Sequence, residues 1–483
     1  MKSKNLIIGA VAGTILGVGS AGQAMAAEEL TPIEKLGKNV FFDNISIPGN
    51  KQGCYSCHDP AKGWILPNSA INNTTVVAPG AAPHALGNIK PPANGYASFS
   101  PPFRSGSFGF IPPWEGGNFW DGRAEGCGAT GGACPAAVPA GGVSETITLS
   151  DIPSSKQADY EKYLGPTADQ ALNPFPNAVE QNIREKNVCQ RVKTAKYKGL
   201  YEDAFDQAID CSPDPQLPVG QRAYHKSFKL IALSLAAWQA SSDVNSFSST
   251  RDKALVEDPD HKFPLTGFTD KENFGHDLFY GRNDSGQNTG GPGGRAKAAR
   301  CNACHNGVPQ GEPADPAGEA PHQLYTDNRY HHIGVPFNRQ IPGVAKGEKI
   351  GLKAHVIADS INPGEFRTPT LRNVAKGLGA NFKKAYTHNG WFKSVESLVH
   401  FYNTRDVADI PGNNLGLKRC EDLTPPIINA TEKEALQNNC WPTSEFPNPA
   451  VFIVGNLGLT PEEEDALVAY LKTFSDEFTP AKP

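Results

Sequence analysis

The 483-residue sequence predicts a mainly α protein made of two tandem repeats that are joined by long irregular loops. Three observations support this fold class. A block that begins with a helix-capping pattern and ends in a cysteine-containing loop occurs twice in the chain. Apolar residues recur at helical spacing in several other segments. The stretches between them are rich in glycine and proline, and no convincing run of strand residues interrupts them.

The two repeats show the same order of features. Each begins with the capping box T-x-x-E, continues as an amphipathic helix and ends in an aromatic pair, over Thr31–Phe42 and Thr269–Tyr280. Each is followed by a C-x-x-C-H motif, as Cys54–His58 and as Cys301–His305. In this motif, two thiols form thioethers to one haem and the histidine binds its iron.

A single C-x-x-C-H motif has other interpretations, namely a redox dithiol or half of a zinc site. Two copies inside a larger duplication favour haem attachment at both. The sequence therefore predicts two cytochrome c-type haem domains in tandem, each with a covalently bound haem c. The predicted attachment residues are Cys54, Cys57, Cys301 and Cys304, and the predicted iron ligands are His58 and His305.

The domain boundary is expected near residue 250, inside a polar, charged segment that is predicted to be a linker (242–268). The N-terminal haem domain then covers 27–250 and the C-terminal haem domain covers 251–483. Residues 64–118 lack periodicity and predict a long loop. Further helices are predicted at 178–210, at His225–Ser241 with Trp238 as a core anchor, at Ser394–Asn403 and after Thr460.

The first 26 residues have the pattern of a secretory signal peptide. Lys2 and Lys4 precede an apolar run, Leu6–Gly19, and Ala24-Met25-Ala26 matches a cleavage site. The run is too short and too rich in glycine for a membrane span, and no later segment resembles one. We therefore expect a periplasmic protein, in agreement with c-type haem attachment outside the cytoplasm.

Cysteine and methionine usage carry further information. Six of the ten cysteines lie outside the haem motifs and form close pairs, which predict disulfides in an oxidising compartment. Both methionines, Met1 and Met25, lie in the signal peptide, so neither iron can have a methionine ligand. The sixth position at each haem is left to histidine, tyrosine, another oxygen donor or no ligand. The predicted disulfide pairs are Cys127–Cys134, Cys189–Cys211 and Cys420–Cys440.

The formal net charge of −5 is mildly acidic, and nothing in the sequence favours nucleic-acid binding. At this point the sequence resembles the di-haem cytochrome c peroxidase superfamily, which includes the methylamine-utilisation enzyme MauG. The resemblance covers the mature chain apart from insertions near 125–165, 281–294 and 411–445. Its motifs, besides the two haem sites, are F-W-D-G-R-A, F-R-T-P-T-L-R-N, H-N-G and F-Y-N.

The resemblance implies that the N-terminal haem reacts with H2O2 and that the C-terminal haem relays electrons. It places Trp120 between the haems as a relay. Gln170, Pro174 and Glu180 reproduce the spacing of the family's distal residues. Glu180, helped by Gln170, would take a proton from the bound oxygen of H2O2 and return it to the departing oxygen.

The resemblance also implies the ligands of the remaining iron positions. Tyr402 stands where MauG-like members place an axial tyrosine, fourteen residues after His388. Tyr402 and His305 would therefore bind the iron of the C-terminal haem, which we call the rear haem. Ala97 stands where many peroxidases have a distal histidine, and His84 is the nearest histidine. With His84 as an ordinary loop residue, the iron of the N-terminal haem, which we call the front haem, is five-coordinate.

Two further sites follow from the resemblance. A calcium ion between the domains is doubtful, because Ser105 stands at the family's asparagine position, with Lys383 and Ala385 at its carbonyl positions. Three arginines are suited to bidentate contacts with haem propionates. They are Arg104, Arg367 and Arg372.

The sequence therefore favours a periplasmic di-haem peroxidase-type enzyme that reduces H2O2 with electrons from a small c-type cytochrome or cupredoxin. The alternative within the family is a MauG-like oxidation of side chains on a partner protein. A protein without a substrate site, a di-haem electron-transfer cytochrome, stays open, as does an O2-dependent oxygenase. Relatives are monomers or homodimers, so either state is expected.

Overall fold

The computed structural model of the chain describes residues 29–46, 52–106, 114–127, 145–356, 361–447, 449 and 453–483. The predicted signal peptide and Cys134 lie outside these residues. The helices α1–α12, in chain order, are Pro32–Phe42, Ser69–Asn73, Gln157–Tyr160, Pro166–Ala171, Glu185–Thr194, Gly199–Phe205, Ala223–Ala240, Thr250–Glu257, Asp270–Tyr280, Val395–Thr404, Glu432–Gln437 and Pro461–Lys472.

Strands are few and very short in the described residues. Three two-residue pairs occur, and long irregular segments connect them and the helices. The mainly α prediction is therefore confirmed. The pairs are β1 (Arg104–Ser105) antiparallel to β2 (Trp114–Glu115), β3 (Tyr330–His331) antiparallel to β4 (Phe366–Arg367), and β5 (Lys418–Arg419) parallel to β6 (Cys440–Trp441).

The first helix of each repeat begins at its predicted cap. In α9, the Thr269 backbone N–H donates to the Glu272 carboxylate (2.8 Å), and the Glu272 N–H donates to Thr269 Oγ1 (3.3 Å). The Thr31 backbone N–H donates to Glu34 in α1 in the same way (2.8 Å). Such caps satisfy N–H groups that the first helical turn leaves without partners.

The same packing device recurs in both repeats. Gly37 of α1 lies against the backbone carbonyl of Ser234 in α7, and Gly275 of α9 lies against that of Ala466 in α12. At both positions a Cβ atom would clash with that carbonyl, so only glycine lets the two helices approach so closely. The duplication seen in the sequence therefore extends to tertiary packing.

Two hydrophobic cores surround these helix pairs. The first contains buried residues between Ile33 and Val244 and centres on α1 and α7. The second contains buried residues between Ala254 and Phe474 and centres on α9 and α12. Trp238 is fully buried in the first core, as its predicted anchor role requires. The division into haem domains near residue 250 stays a prediction.

The predicted linker 242–268 is not a solvated connection but contains helix α8. Arg251 is fully buried and donates to the carbonyls of Gly318 (2.5 Å) and Ala320 (2.7 Å). Asp252 is buried and paired with Arg372 (2.5 Å). The charges of Arg251 and Asp252 are therefore paired inside the protein. Local composition does not show this burial, so the linker interpretation was wrong.

Two of the predicted disulfides, Cys189–Cys211 and Cys420–Cys440, are confirmed. Each closes a loop of about 20 residues, for which a stabilisation of roughly 2–4 kcal/mol is typical. The pairing of Cys127 with Cys134 stays a prediction. No helix in the described part of the chain is long and apolar enough to cross a membrane.

A histidine near the start of α7 is held by two carboxylates, which predicts a pH-dependent loss of stability. His225 is 1% exposed; its Nε2 lies 3.0 Å from Glu145 and its Nδ1 lies 2.8 Å from Glu185. The hydrogen bonds to Glu145 and Glu185 raise the pKa of His225 to about 9. The folded-state pKa exceeds the unfolded value of about 6.5. The stabilisation is therefore complete below about pH 6.5 and is lost as the pH rises through about 9.

We expect the wild type to be more stable than His225→Gln at about pH 6 by roughly 1–2 kcal/mol, since both carboxylates are partly exposed to water. This difference should shrink as the pH approaches about 10. Thermal or urea unfolding of both proteins across this range measures it. A difference that stays constant with pH would contradict the prediction.

Candidate active site

Each C-x-x-C-H motif forms one 3₁₀ turn that presents its side chains to a cavity. The turns are Cys54–Ser56 and Cys301–Ala303. In each motif the backbone N–H of the histidine donates to the backbone carbonyl of the first cysteine (3.0 Å in both). All four motif cysteines are free of disulfides. Two thiols and one imidazole therefore share one cavity wall in each repeat, as attachment of a single haem requires.

Both motif histidines are oriented for metal binding. His58 Nδ1 lies 3.2 Å from the Trp64 carbonyl, and His305 Nδ1 lies 2.8 Å from the Tyr325 carbonyl. A carbonyl can only accept, so Nδ1 carries the proton and Nε2 is left for iron. Burial lowers the pKa of His58 to about 4 and also lowers that of His305. Both are therefore neutral imidazoles, the form that binds metals.

The front cavity, of about 520 Å³, joins the first motif to the predicted distal residues. Helix α4 and the loop that follows it bring Gln170, Pro174 and Glu180 to this cavity, and Trp120 reaches it from the F-W-D-G-R-A segment. The structure thus brings together residues that an insertion separates in sequence. The members of this set that line the cavity are Cys54, Cys57, His58, Trp120, Gln170, Pro174 and Glu180.

Glu180 has the surroundings of a group that can exchange a proton. Burial raises the pKa of its carboxyl, and Arg123 and the Asn177 hydrogen bond oppose that rise. Asn177 Nδ2 donates to Glu180 Oε1 (2.6 Å), and Arg123 lines the same cavity. The sequence interpretation missed both partners, although Arg123 belongs to a motif that it had singled out.

The rear cavity, of about 220 Å³, joins the second motif to Tyr402. Cys301, Cys304, His305 and Tyr402 all line it, and Tyr402 comes from the last two turns of α10. Burial raises the pKa of the Tyr402 phenol, so a phenolate here needs a nearby cation such as iron. Three other histidines line this cavity as well. They are His331, His332 and His388.

Trp120 lines both cavities, as a relay between the haems requires. Its indole Nε1 donates to the Lys90 carbonyl (2.7 Å), and the Lys90 Nζ lies 5.5 Å from the ring centroid. Phe366 also lines both cavities and stacks on His388, with a centroid distance of 3.4 Å. The wall between the cavities is therefore aromatic.

Buried cations beside the rear cavity test the fit of a haem. Lys90 and Lys384 are buried, and their ammonium groups donate to the carbonyls of Pro91 (3.1 Å) and Asn373 (2.7 Å). Burial lowers the pKa of Lys90 to about 8, and it lowers the pKa of Lys384 well below its usual range. Arg367 Nε is buried and has no hydrogen-bond partner among the described residues. An anion such as a haem propionate would offset this burial and stabilise the charged forms of these groups, so the residues fit haem c.

Lys90 and Lys384 were not predicted, because a lysine in an irregular loop carries no signal of burial. Two of the three predicted propionate arginines are held by other partners. Arg104 is exposed and paired with Glu115, and it does not line either cavity. Arg372 lines the rear cavity, but Asp252 holds its guanidinium.

The structure also locates the remaining predicted residues. His84 is exposed and is not among the residues that line the front cavity. Ser105 is exposed in β1, and the Lys383 carbonyl accepts a hydrogen bond from Asn72 Nδ2 (2.9 Å). Ala385 is buried beside the rear cavity. Calcium binding by these residues stays a prediction.

Comparisons with known proteins agree with this geometry. Residues 32–260 match the family described as di-haem cytochrome c peroxidase. The methylamine utilization protein MauG of Paracoccus denitrificans (strain Pd 1222) is 26% identical over 392 residues, which cover 80% of this chain and 77% of that protein.

Solved structures of two proteins share the fold. The diheme peroxidase BthA from Burkholderia thailandensis E264 has a TM-score of 0.56 and 21% identity, covering 93% of this chain and 88% of that chain. A MauG-like protein associated with microbial copper homeostasis has a TM-score of 0.50 and 20% identity, covering 92% and 90%. Together with the two C-x-x-C-H cavities, these matches identify the chain as similar to the di-haem cytochrome c peroxidase and MauG superfamily over most of its length.

Proposed function

We propose that the protein is a periplasmic di-haem c-type oxidoreductase with two tandem haem domains, and that it reduces H2O2 at the front cavity. One observation carries this proposal. The front cavity combines a haem-attachment motif with the partly buried carboxyl of Glu180, and one wall of the cavity, Trp120, is shared with the rear cavity.

Haem c, when bound, supplies the iron that binds peroxide and takes up its oxidising equivalents. Glu180 supplies the proton chemistry. Asn177 Nδ2 holds Oε1 (2.6 Å), which leaves Oε2 to take a proton from the near oxygen of H2O2 and to return it to the departing one. Gln170 lines the same cavity and orients the peroxide. Arg123 opposes the effect of burial on the Glu180 pKa, so the carboxylate form stays accessible.

Trp120 couples the two haem cavities. Its indole N–H donates to the Lys90 carbonyl, which is not a base, so an oxidised indole keeps its proton. Transfer through Trp120 then moves an electron without moving a proton. The electrons come from a small c-type cytochrome or cupredoxin, or from side chains of a partner protein.

A second candidate function is MauG-like oxidation of protein side chains. Tyr402 favours it, because a hard oxygen ligand stabilises oxidised iron and opposes reduction. Tyr402 lines the rear cavity, and the sequence contains no methionine after Met25. The similarity to MauG of Paracoccus denitrificans supports the same branch.

Addition of H2O2 to the fully oxidised protein tests the proposal and separates its two forms. We expect a high-spin ferric EPR signal at rest and direct consumption of H2O2. A long-lived near-infrared absorption would identify the MauG-like form, whereas activity only after half-reduction would identify a peroxidase that requires activation. Two low-spin haems without any H2O2 consumption would contradict the proposal and leave a di-haem electron carrier.

A further inference from the structure

An aromatic cluster leads from the histidine side of the front haem motif to the protein surface. The rings of Trp64 and Trp238 are buried, with centroids 5.7 Å apart. Phe41 lines the front cavity and contacts both rings, at 6.1 Å and 4.7 Å. Phe42 lies 5.7 Å from Trp238 and 5.8 Å from Tyr55. Each ring-to-ring step is therefore shorter than about 6.5 Å, the range of aromatic contact.

The two tryptophans beside the front cavity have opposite electrostatic surroundings. Trp238 Nε1 donates to Asp243 Oδ2 (3.3 Å), and this carboxylate also binds Lys38 (2.7 Å). At Trp120 the N–H donates to a neutral carbonyl, and the Lys90 ammonium lies 5.5 Å from the ring. A nearby anion stabilises an indole that has lost an electron, and a nearby cation destabilises it. We therefore expect Trp238 to be the more easily oxidised of the two, since its indole bonds directly to the carboxylate, whose charge Lys38 offsets in part.

Tyr55 lies where the cluster meets solvent and the haem attachment site. It stands between Cys54 and Cys57 in the motif, is partly exposed and donates its hydroxyl proton to Asn44 Oδ1 (2.9 Å). The Lys482 ammonium, from the C-terminal segment, lies 4.2 Å from the Tyr55 ring centroid. The ring is thus reachable by a reductant at the surface.

We infer that Trp238, with Asp243, and Tyr55 form a second electron route into the front haem, independent of Trp120 and the rear haem. The inference rests on the proposed reduction of H2O2, which supplies the oxidant. Trp238 gives one electron to the oxidised front centre and shares its N–H proton with Asp243. Tyr55 then reduces the oxidised Trp238 by one electron, the shared proton returns to the indole nitrogen, and Tyr55 releases its phenol proton to water. A one-electron donor, either a redox protein or a small reductant, then restores Tyr55 with one electron, and water returns the proton.

Rapid freezing of the holoprotein after addition of H2O2 without reductant tests the route. In protein labelled with ring-deuterated tryptophan or tyrosine, we expect a radical EPR signal that changes with both labels and loses its tryptophan part in Trp238→Phe. Peptide mass spectrometry should find added oxygen at Trp238 and Tyr55. Asp243→Asn should lower the tryptophan signal by about tenfold, since it removes a unit charge beside the indole.

Lys38→Met provides the opposing control, because it removes the cation that offsets the Asp243 charge and should raise the same signal. A structural role for the Lys38–Asp243 pair would instead make both variants lose stability and signal together, which would overturn the inference. Labels without effect in a protein that consumes H2O2 would also overturn it. A wild type that does not consume H2O2 would overturn the proposed function itself.

A steady-state measurement gives an independent check. In a Trp120→Phe background, turnover with a small reductant should persist, and adding Tyr55→Phe should lower it further. If Tyr55→Phe leaves the remaining turnover unchanged, electrons do not pass through Tyr55 and the inference fails.

Discussion

Glu180→Gln is expected to lower kcat/KM for H2O2 by about 10²–10⁴-fold, the usual contribution of a positioned acid–base group. The glutamine preserves size and can still accept from Asn177, which holds Glu180 Oε1 at 2.6 Å. It cannot take a proton from peroxide and return it. The loss should therefore appear in the chemical step, which stopped-flow mixing of the oxidised protein with H2O2 measures directly.

The matched control is Glu202→Gln, an exposed glutamate on α6 outside both cavities. It should leave the rate unchanged. The resting EPR spectrum of Glu180→Gln should match that of the wild type, which would show that the front haem is still attached and still open. A loss of less than about threefold would mean that another group carries the proton, with Asp121 and Glu348, the other carboxylates that line the front cavity, as the next candidates.

Tyr402→Phe is expected to remove the sixth ligand of the rear haem. The low-spin ferric EPR signal of that haem should be replaced by a high-spin signal, because phenylalanine has the same ring and no donor atom. Loss of an anionic ligand should raise the reduction potential on the order of 0.1 V. Redox titration with optical detection measures the shift, and the near-infrared absorption expected of the MauG-like form should disappear.

Tyr386→Phe is the matched control, since Tyr386 lines the same cavity and donates its hydroxyl to the Val374 carbonyl (3.2 Å). It should leave the rear-haem spectrum unchanged. An unchanged spectrum in Tyr402→Phe would instead assign the sixth position to another residue. His388 is then the first to test, because its Nε2 is buried without a hydrogen-bond partner among the described residues and the residue lines the rear cavity.

The buried lysines show where sequence interpretation ended. Lys90 lies within the predicted long loop 64–118 and Lys384 precedes the H-N-G segment, and neither position has a pattern that predicts burial. They lie beside the rear cavity because segments far apart in the chain fold over them. Arg104 illustrates the converse, since it was predicted to contact a haem propionate but the packing of β1 against β2 pairs it with Glu115.

The sequence by itself showed the duplication, predicted the haem-attachment sites and fixed the helix caps, and the last two depend on residues within about one helical turn. The C-x-x-C-H spacing and the T-x-x-E boxes are of this local kind, and the lack of methionine after Met25 is read from the sequence directly. Only the tertiary structure decided which distant residues share a cavity: Glu180 with His58, Tyr402 with His305, and Trp120 with both cavities. The physical reason is that burial, and with it the pKa values of carboxyl, phenol and ammonium groups, depends on contacts between remote segments that local spacing does not specify.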